Sequence, residues 1–129
     1  MPNTIVQTTL FGETNGRRIV RHINIVSDGS EETDLVIYDN SALIANVNAG
    51  VVEKIEVFGS AGLLTFEWDQ TTDFAICSMD SATNACADFS AFGGIKNPGG
   101  AGATGDVVLT TANLDAGDVV TIILTVIQK

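Results

Sequence analysis

Histidine is almost absent from this chain, since His22 is the only one among 129 residues. Catalytic triads need a base beside a Ser, Thr or Cys nucleophile, and His22 stands among aliphatic residues in a strand-like pattern. We therefore expect a structural histidine and no nucleophilic enzyme. Cys77 and Cys86 match no zinc spacing, and one histidine adds little to them. The sequence thus predicts a non-enzymatic protein that carries no cofactor.

Positive charge is also scarce, because six Lys and Arg stand against 16 Asp and Glu, giving a net charge of −10. Such an acidic chain repels phosphate backbones and anionic lipid, so neither nucleic acid nor a membrane is an expected partner. Three cations nevertheless lie close together, at Arg17, Arg18 and Arg21. They indicate either a solvated strand edge or a docking patch for an acidic partner.

The chain has no long apolar run and no visible export signal at its first residues. We therefore expect a soluble protein that is not directed to an oxidising compartment. Cys77 and Cys86 are nine positions apart and could face each other across a hairpin. Free, buried thiols are the preferred interpretation in a chain of this kind.

What the chain does have is β-strand periodicity, which is clearest in residues 119–127. Val120, Ile122, Leu124 and Val126 share one side of that strand, while the other side mixes Thr with aliphatic residues. The first side is typical of a core and the second of a half-covered surface. A chain of this length fits one domain, residues 1–129, with 1–10 as an extended arm or a first strand.

The same reasoning along the chain predicts strands at residues 4–10, 17–26, 35–38, 51–58, 63–68, 74–79 and 106–111, besides 119–127. Residues 85–92 are ambiguous between strand and loop, and residues 39–47 contain the one plausible helical turn. The glycines at 59–62 predict a hairpin. Because no βαβ alternation is present, the sequence predicts an all-β fold, a jelly-roll-like antiparallel β-sandwich of about eight strands.

A glycine-rich segment, residues 93–105, contains six Gly and one Pro. This composition disfavours strand and helix and predicts a long exposed loop, of the kind that is often functional or mobile. The segment has no Gly-Lys-Ser or Gly-Lys-Thr ending and precedes no helix, so it does not predict a phosphate site.

An acidic run offers a weak candidate metal site, formed by Asp28, Glu31, Glu32 and Asp34. Carboxylate oxygens are the ligands that Ca²⁺ prefers, but the spacing is not that of an EF-hand, and a solvated acidic loop explains the run as well. A second acidic set surrounds Trp68, at Glu67, Asp69 and Asp73. A small glycosidase would need two of these carboxyls about 5–10 Å apart in a cleft.

Three stretches together resemble a known class of proteins: INIVSDGSEETDLVIYD (23–39), DFSAFGGIKNP (88–98) and GDVVLTT (105–111). They are similar to small proteins encoded beside the head genes of tailed bacteriophages, of the capsid decoration (cement) type. The resemblance spans about residues 17–126. It implies a non-enzymatic structural protein on the virion surface that binds the major capsid protein and bridges neighbouring subunits. It also implies assembly in the host cytoplasm and a homotrimeric state.

For such a protein the expected capsid contacts are the clustered cations and the glycine-rich segment: Arg17, Arg18, Arg21, Lys96, Asn97, Gly99 and Gly100. Flexible elements, either the glycine-rich segment or residues 1–7, would become ordered on docking. The Thr-containing side of residues 119–127 is a candidate surface for self-association.

The alternative function is carbohydrate binding, by a virion module that holds host glycans or by a lectin-like domain. A glycan binder is expected to expose aromatic platforms. The chain has one Trp, one Tyr and six Phe, most of them at alternating positions typical of a core. An exposed Trp68 or Tyr38 would favour this alternative over capsid decoration.

Overall fold

The computed structural model describes residues 3–11, 18–39, 50–60, 62–81, 84–96 and 101–128. They contain ten strands and a 3₁₀ turn at Ser90–Phe92. In chain order the strands are β1 (Thr4–Phe11), β2 (Arg18–Val26), β3 (Leu35–Tyr38), β4 (Gly50–Gly59), β5 (Leu63–Trp68), β6 (Phe74–Asp80), β7 (Cys86–Asp88), β8 (Ile95–Lys96), β9 (Val107–Ala112) and β10 (Val119–Gln128). Within these ranges no helix is long and apolar enough to span a membrane.

The strands form two antiparallel sheets that pack face to face. Sheet A has the order β1-β2-β10-β4-β7, with β8 beside β7 on the same edge of β4, and sheet B has the order β3-β9-β5-β6. The pairs are nested along the chain, since β2 pairs with β10, β3 with β9, β4 with β7 and β8, and β5 with β6. A long hairpin rolled up in this way is a jelly roll, so the predicted fold is confirmed.

Alternation of side chains along the strands builds the core between the sheets. Val120, Ile122, Leu124 and Val126 of β10 are fully buried, as predicted, and the intervening residues of that strand are only partly covered. Sheet B contributes Leu64, Phe66 and Trp68 from β5, all fully buried. Burial of each large aliphatic or aromatic side chain stabilises the fold by about 1.5–3 kcal/mol.

Hydrogen bonds of the Arg21 side chain connect the edge of sheet B to sheet A. It lies between the buried Ile19 and Ile23 on β2, and its Nε donates a hydrogen bond to the carbonyl oxygen of Ile37, 3.1 Å away. Its terminal nitrogen donates to Gln7 Oε1 at 2.8 Å, and Gln7 Nε2 donates to the carbonyl oxygen of Val36 at 3.1 Å. Side chains of sheet A thus satisfy carbonyl groups of β3, an edge strand that pairs only with β9.

The first strand is part of sheet A and is not a flexible arm. Residues 4–11 pair with β2, and the buried Asn3 anchors the start of that strand. Asn3 Oδ1 accepts the N–H of Asp28 at 2.9 Å, and its Nδ2 donates to Glu32 Oε2 at 2.7 Å. The expectation that residues 1–7 become ordered on docking is therefore wrong for residues 3–7, because backbone pairing and the acidic loop already hold them.

The hairpin predicted at residues 59–62 is also wrong, because β4 belongs to sheet A and β5 to sheet B. The connection crosses between the sheets, and the N–H of Ser60 donates to the carbonyl oxygen of Val119 at 3.0 Å. A glycine-rich reversal serves both kinds of connection. The local sequence therefore could not show whether the two strands pair or stack.

The glycine-rich segment is more ordered than predicted. Ile95 and Lys96 form β8 against Val52 and Val51, so this part is a strand. Gly94 permits the approach, since it has a φ of +93° and a Cβ there would lie 2.8 Å from the carbonyl oxygen of Val52. Near the end of the segment the carbonyl of Ala101 accepts a hydrogen bond from Thr71. Residues 97–100 and most of the predicted helical turn lie outside the described residues.

Candidate functional site

Two candidate contact regions that are far apart in sequence lie on one row of sheet A. Arg18 pairs with Ile127, Ile127 with Val51, and Val51 with Lys96. We call these four residues the basic row. Three strand spacings separate its ends, which corresponds to about 14 Å. The row lies at the C-terminal end of β10, on the outer face of sheet A, the side turned away from sheet B.

Arg18 and Lys96 are exposed at the two ends of this row. The Arg18 side chain is 54% exposed and forms a salt bridge of 3.1 Å with Glu53. Lys96 directly precedes residues 97–100 in the sequence. An exposed ion pair of this kind contributes only about 0–1 kcal/mol, so Arg18 can exchange Glu53 for a partner's carboxylate at little cost.

The remaining predicted contact residues are placed differently. Arg21 lies at the seam between the sheets, where burial lowers its pKa although Asp39 opposes that effect. Its hydrogen bonds to Ile37 and Gln7 give it a structural role. Contact of Arg21 with a capsid is an untested prediction, and the basic row does not include this residue. The other four, Arg17, Asn97, Gly99 and Gly100, lie outside the described residues.

Charge is divided unequally between the sheets. All cations in the described ranges belong to sheet A: Arg18, Arg21, Lys54 and Lys96. The four strands of sheet B contain no Lys or Arg, and their outer side and flanking turns carry carboxylates. Sheet A is therefore the side of this acidic molecule to which a partner's carboxylates would be drawn.

Three of those carboxylates form a cluster on the outer side of sheet B. Oxygens of Asp34, Glu67 and Asp73 lie within 4.8 Å of one another, and we call this group the carboxylate trio. Glu67 points outward because its neighbours Phe66 and Trp68 point into the core. The N–H of Asp34 donates to Thr110 Oγ1, and Asp73 Oδ1 accepts the N–H of Gln70. Loop hydrogen bonds thus hold two members beside the strand that carries the third.

Two members of the trio have raised pKa values, through desolvation and nearby carboxylates. The pKa of Asp34 is raised by partial desolvation and then by Asp73 and Asp69, and the pKa of Glu67 is raised by desolvation and then by Asp73 and Asp34. Three hard oxygen donors in this arrangement can hold a cation such as Ca²⁺. The nearest oxygens of these carboxyls are closer together than the roughly 5–10 Å that a glycosidase pair needs. Trp68 also points to the opposite side of β5 and is buried, so it offers no sugar-stacking ring there.

The predicted metal site in the acidic run does not form one cluster in the described structure. Asp28 accepts hydrogen bonds from Ser30, which lower its pKa. Glu31 accepts from Thr111 Oγ1 and from the N–H of Leu114. Glu32 is bonded to Asn3, and only Asp34 joins the trio. These bonds tie the loop to β1 and β9, so its carboxylates have structural partners that the sequence did not reveal.

The aromatic residues that would favour glycan binding are in the core. Trp68 and Tyr38 are both fully buried, and burial raises the pKa of the Tyr38 hydroxyl. Exposed rings in the described residues are Phe58 on β4 and Phe74 on β6, which lie in different sheets. The expectation of a core position for Trp68 is confirmed.

The two cysteines are free, as expected, but they are not both buried. Cys77 on β6 is half-buried, whereas Cys86 on β7 is exposed. The first belongs to sheet B and the second to sheet A, so they do not face each other across a hairpin. Burial raises the pKa of the Cys77 thiol to about 11.

We compared the chain with protein-family models, with curated proteins and with solved structures, and none of them matches it.

Proposed function

We propose that this chain is a non-enzymatic structural protein of a phage virion, which decorates the capsid and bridges neighbouring major capsid subunits through the basic row. The observation that supports this proposal is the position of Arg18 and Lys96. Two stretches more than seventy residues apart in the sequence bring exposed cations to one row of an otherwise acidic molecule. Such a row suits a protein surface that presents carboxylates.

The division of charge gives the docked protein a defined orientation. Sheet A, with the described cations, faces the shell, and the acidic side of sheet B faces solvent and repels copies bound nearby. Each contact is modest, but a partner that binds two capsid subunits at once gains from the effective concentration of its second contact. Asn97, Gly99 and Gly100 follow Lys96 closely in the sequence, and we propose that they add contacts to the shell.

Co-sedimentation with undecorated capsids of the proposed parent phage tests the proposal. We expect saturable binding at a fixed copy number per capsid subunit. Replacing both Arg18 and Lys96 by Gln should weaken binding about tenfold, since each lost ion pair is worth about 0.5–1 kcal/mol. The matched control is Lys54→Gln, which removes a sheet A cation away from the row and should leave binding within about twofold.

Absence of saturable capsid binding would contradict the proposal, and so would equal effects of the double variant and Lys54→Gln. A glycan array with the same preparation tests the alternative, a carbohydrate-binding module. The burial of Trp68 and Tyr38 favours capsid decoration over that alternative. A clear glycan signal without capsid binding would reverse the order of the two functions.

A further inference from the structure

The end of sheet A opposite the basic row carries a cluster of exposed apolar side chains. Val26 pairs directly with Val119, Val6 pairs with Asn24, and Phe58 pairs with Thr121. Asn24 and Thr121 pair with each other, so the apolar side chains surround them on the outer face. The apolar patch consists of Val6, Val26, Phe58 and Val119, all of them large hydrophobic residues that the structure leaves exposed.

These two rows of the sheet contain no ionisable side chain, in a chain with a net charge of −10. The polar group at their centre is the amide of Asn24, whose Oδ1 accepts a hydrogen bond from Thr121 Oγ1 at 3.1 Å. Among the described residues no acceptor bonds to the Nδ2 of Asn24. The patch therefore combines an apolar rim with a central group that can still donate two hydrogen bonds.

We propose that a second copy of this chain docks on the apolar patch, patch against patch, about a two-fold axis near Asn24. A two-fold contact brings one surface against itself, so that surface must be self-complementary. An uncharged patch with a central amide meets this requirement, because an amide both donates and accepts. The carboxylate trio on sheet B does not, since two copies of it would bring six carboxyls together.

The size of the patch predicts a weak dimer. The two rows take up about four residues of β10 at about 3.3 Å each, and four strands at about 4.8 Å spacing then give a flat area of about 250 Å². Allowing for the corrugated surface, each copy would bury about 400 Å², so the total of about 800 Å² lies in the range of weak, transient contacts. A dissociation constant on the order of 10–100 µM is expected for such a contact.

The dimer contact is separate from the proposed capsid contact. Val119 and Ile127 lie at opposite ends of β10, eight residues apart, which corresponds to about 26 Å along the strand. The basic row therefore lies outside the area that a second copy would bury. The inference needs no capsid for its test, so its failure and the failure of the proposed function are distinguishable.

Sedimentation equilibrium of the purified chain, from low micromolar to near-millimolar concentration, measures the dimer directly. We expect the mass to rise from one chain to two, and the dimer to become stronger in added salt, which screens the repulsion between two acidic chains. Val26→Asp should weaken the dimer at least tenfold. The matched control is Val36→Asp on sheet B, since Val26 is 38% and Val36 is 39% exposed.

Two further variants distinguish the loss of buried apolar surface from the effect of added negative charge. Val26→Lys should also weaken the dimer, although it lowers the net negative charge. Val26→Thr, which keeps the β-branched shape, should weaken it less and covers the case in which a charged variant does not fold. The proposal is wrong if the chain stays monomeric at every concentration and salt level, if it forms trimers, or if Val26→Asp and Val36→Asp act equally. Loss of capsid binding by the Val26→Asp variant would also overturn the proposal, because it would make the capsid the occupant of the apolar patch.

Discussion

The two cysteines differ in accessibility, and this difference is directly measurable. Cys86 is exposed, whereas the half-buried Cys77 has a pKa of about 11. At pH 8 about one Cys77 in a thousand would be a thiolate, which is the reactive form. We expect one rapidly reacting thiol per native chain with a disulfide reagent such as Ellman's. Cys86→Ser should remove the rapid phase and Cys77→Ser should retain it, so equal rates for both thiols would contradict the described burial.

The carboxylate trio predicts an unusual dependence of stability on pH. Asp34 and Glu67 have folded-state pKa values above their ordinary ones, so the folded protein binds more protons than the unfolded chain in the window above about pH 4. The favourable contribution of these protons is complete below that window and is lost as pH rises through the raised pKa values. The ionised carboxylates of Asp34 and Glu67 therefore destabilise the fold at pH 7.

Glu67→Gln tests this effect, because it removes one charge and keeps the shape of the side chain. We expect the free energy of unfolding to increase by about 0.5 kcal/mol at pH 7, a value reduced by solvent screening of these partly exposed groups. The increase should disappear near pH 3. Urea titrations at both pH values measure it. Glu56→Gln is the matched control, since Glu56 lies 3.5 Å from Lys54 and should give no increase.

The sequence showed the chemistry of the trio only in part. The alternation of β5 predicts that Glu67 points away from Trp68, and Asp34 and Asp73 stand in turn-rich sequence. Their meeting depends on β9, which pairs with both β3 and β5. That pairing joins strands far apart in the chain, and no local pattern encodes it.

At the level of the strand, Arg18 and Arg21 of β2 have different roles, and one pair of variants separates them. Arg21→Met leaves the carbonyl of Ile37 without its charged donor and should lower the free energy of unfolding by about 1–3 kcal/mol. Arg18→Met removes an exposed ion pair and should cost less than about 1 kcal/mol. Chemical denaturation compares the two directly.

In a capsid-binding assay the order of the two variants should be reversed, with the larger effect for Arg18→Met. Arg18→Met is expected to weaken capsid attachment, whereas the part of Arg21→Met protein that stays folded should bind almost normally. A large loss of stability in Arg18→Met together with a small one in Arg21→Met would contradict the role of Arg21 in holding β3 of sheet B against sheet A.

Strand positions were the best-predicted feature, because alternation is a local property. Leu35–Tyr38 and Leu63–Trp68 were predicted with the bounds observed, and β10 differs by one residue. The two-residue β8 was missed because it is too short for periodicity and is surrounded by glycine. The crossing after β4 was mistaken for a hairpin, since a tight reversal looks the same whether the next strand pairs or stacks.

For the molecule as a whole, the jelly-roll topology makes the last strand central and the first strand peripheral. β10 lies between β2 and β4 and contributes fully buried residues along its length, whereas β1 pairs with β2 alone. Strands about a hundred residues apart must therefore meet before sheet A is complete. Long-range pairing of this kind predicts slow folding, in the range of milliseconds to seconds.

Truncations of the two terminal strands should consequently have different effects on folding. Removing residues 125–129 deprives β2 and β4 of their shared partner over one end of the sheet and deletes the buried Val126, so we expect loss of cooperative unfolding. Removing residues 1–11 deletes an edge strand and should leave a folded protein with reduced stability, because the nine nested strands remain. Thermal melts followed by circular dichroism distinguish these results. A cooperative melt of the C-terminally truncated chain near that of the full chain would contradict the central position of β10.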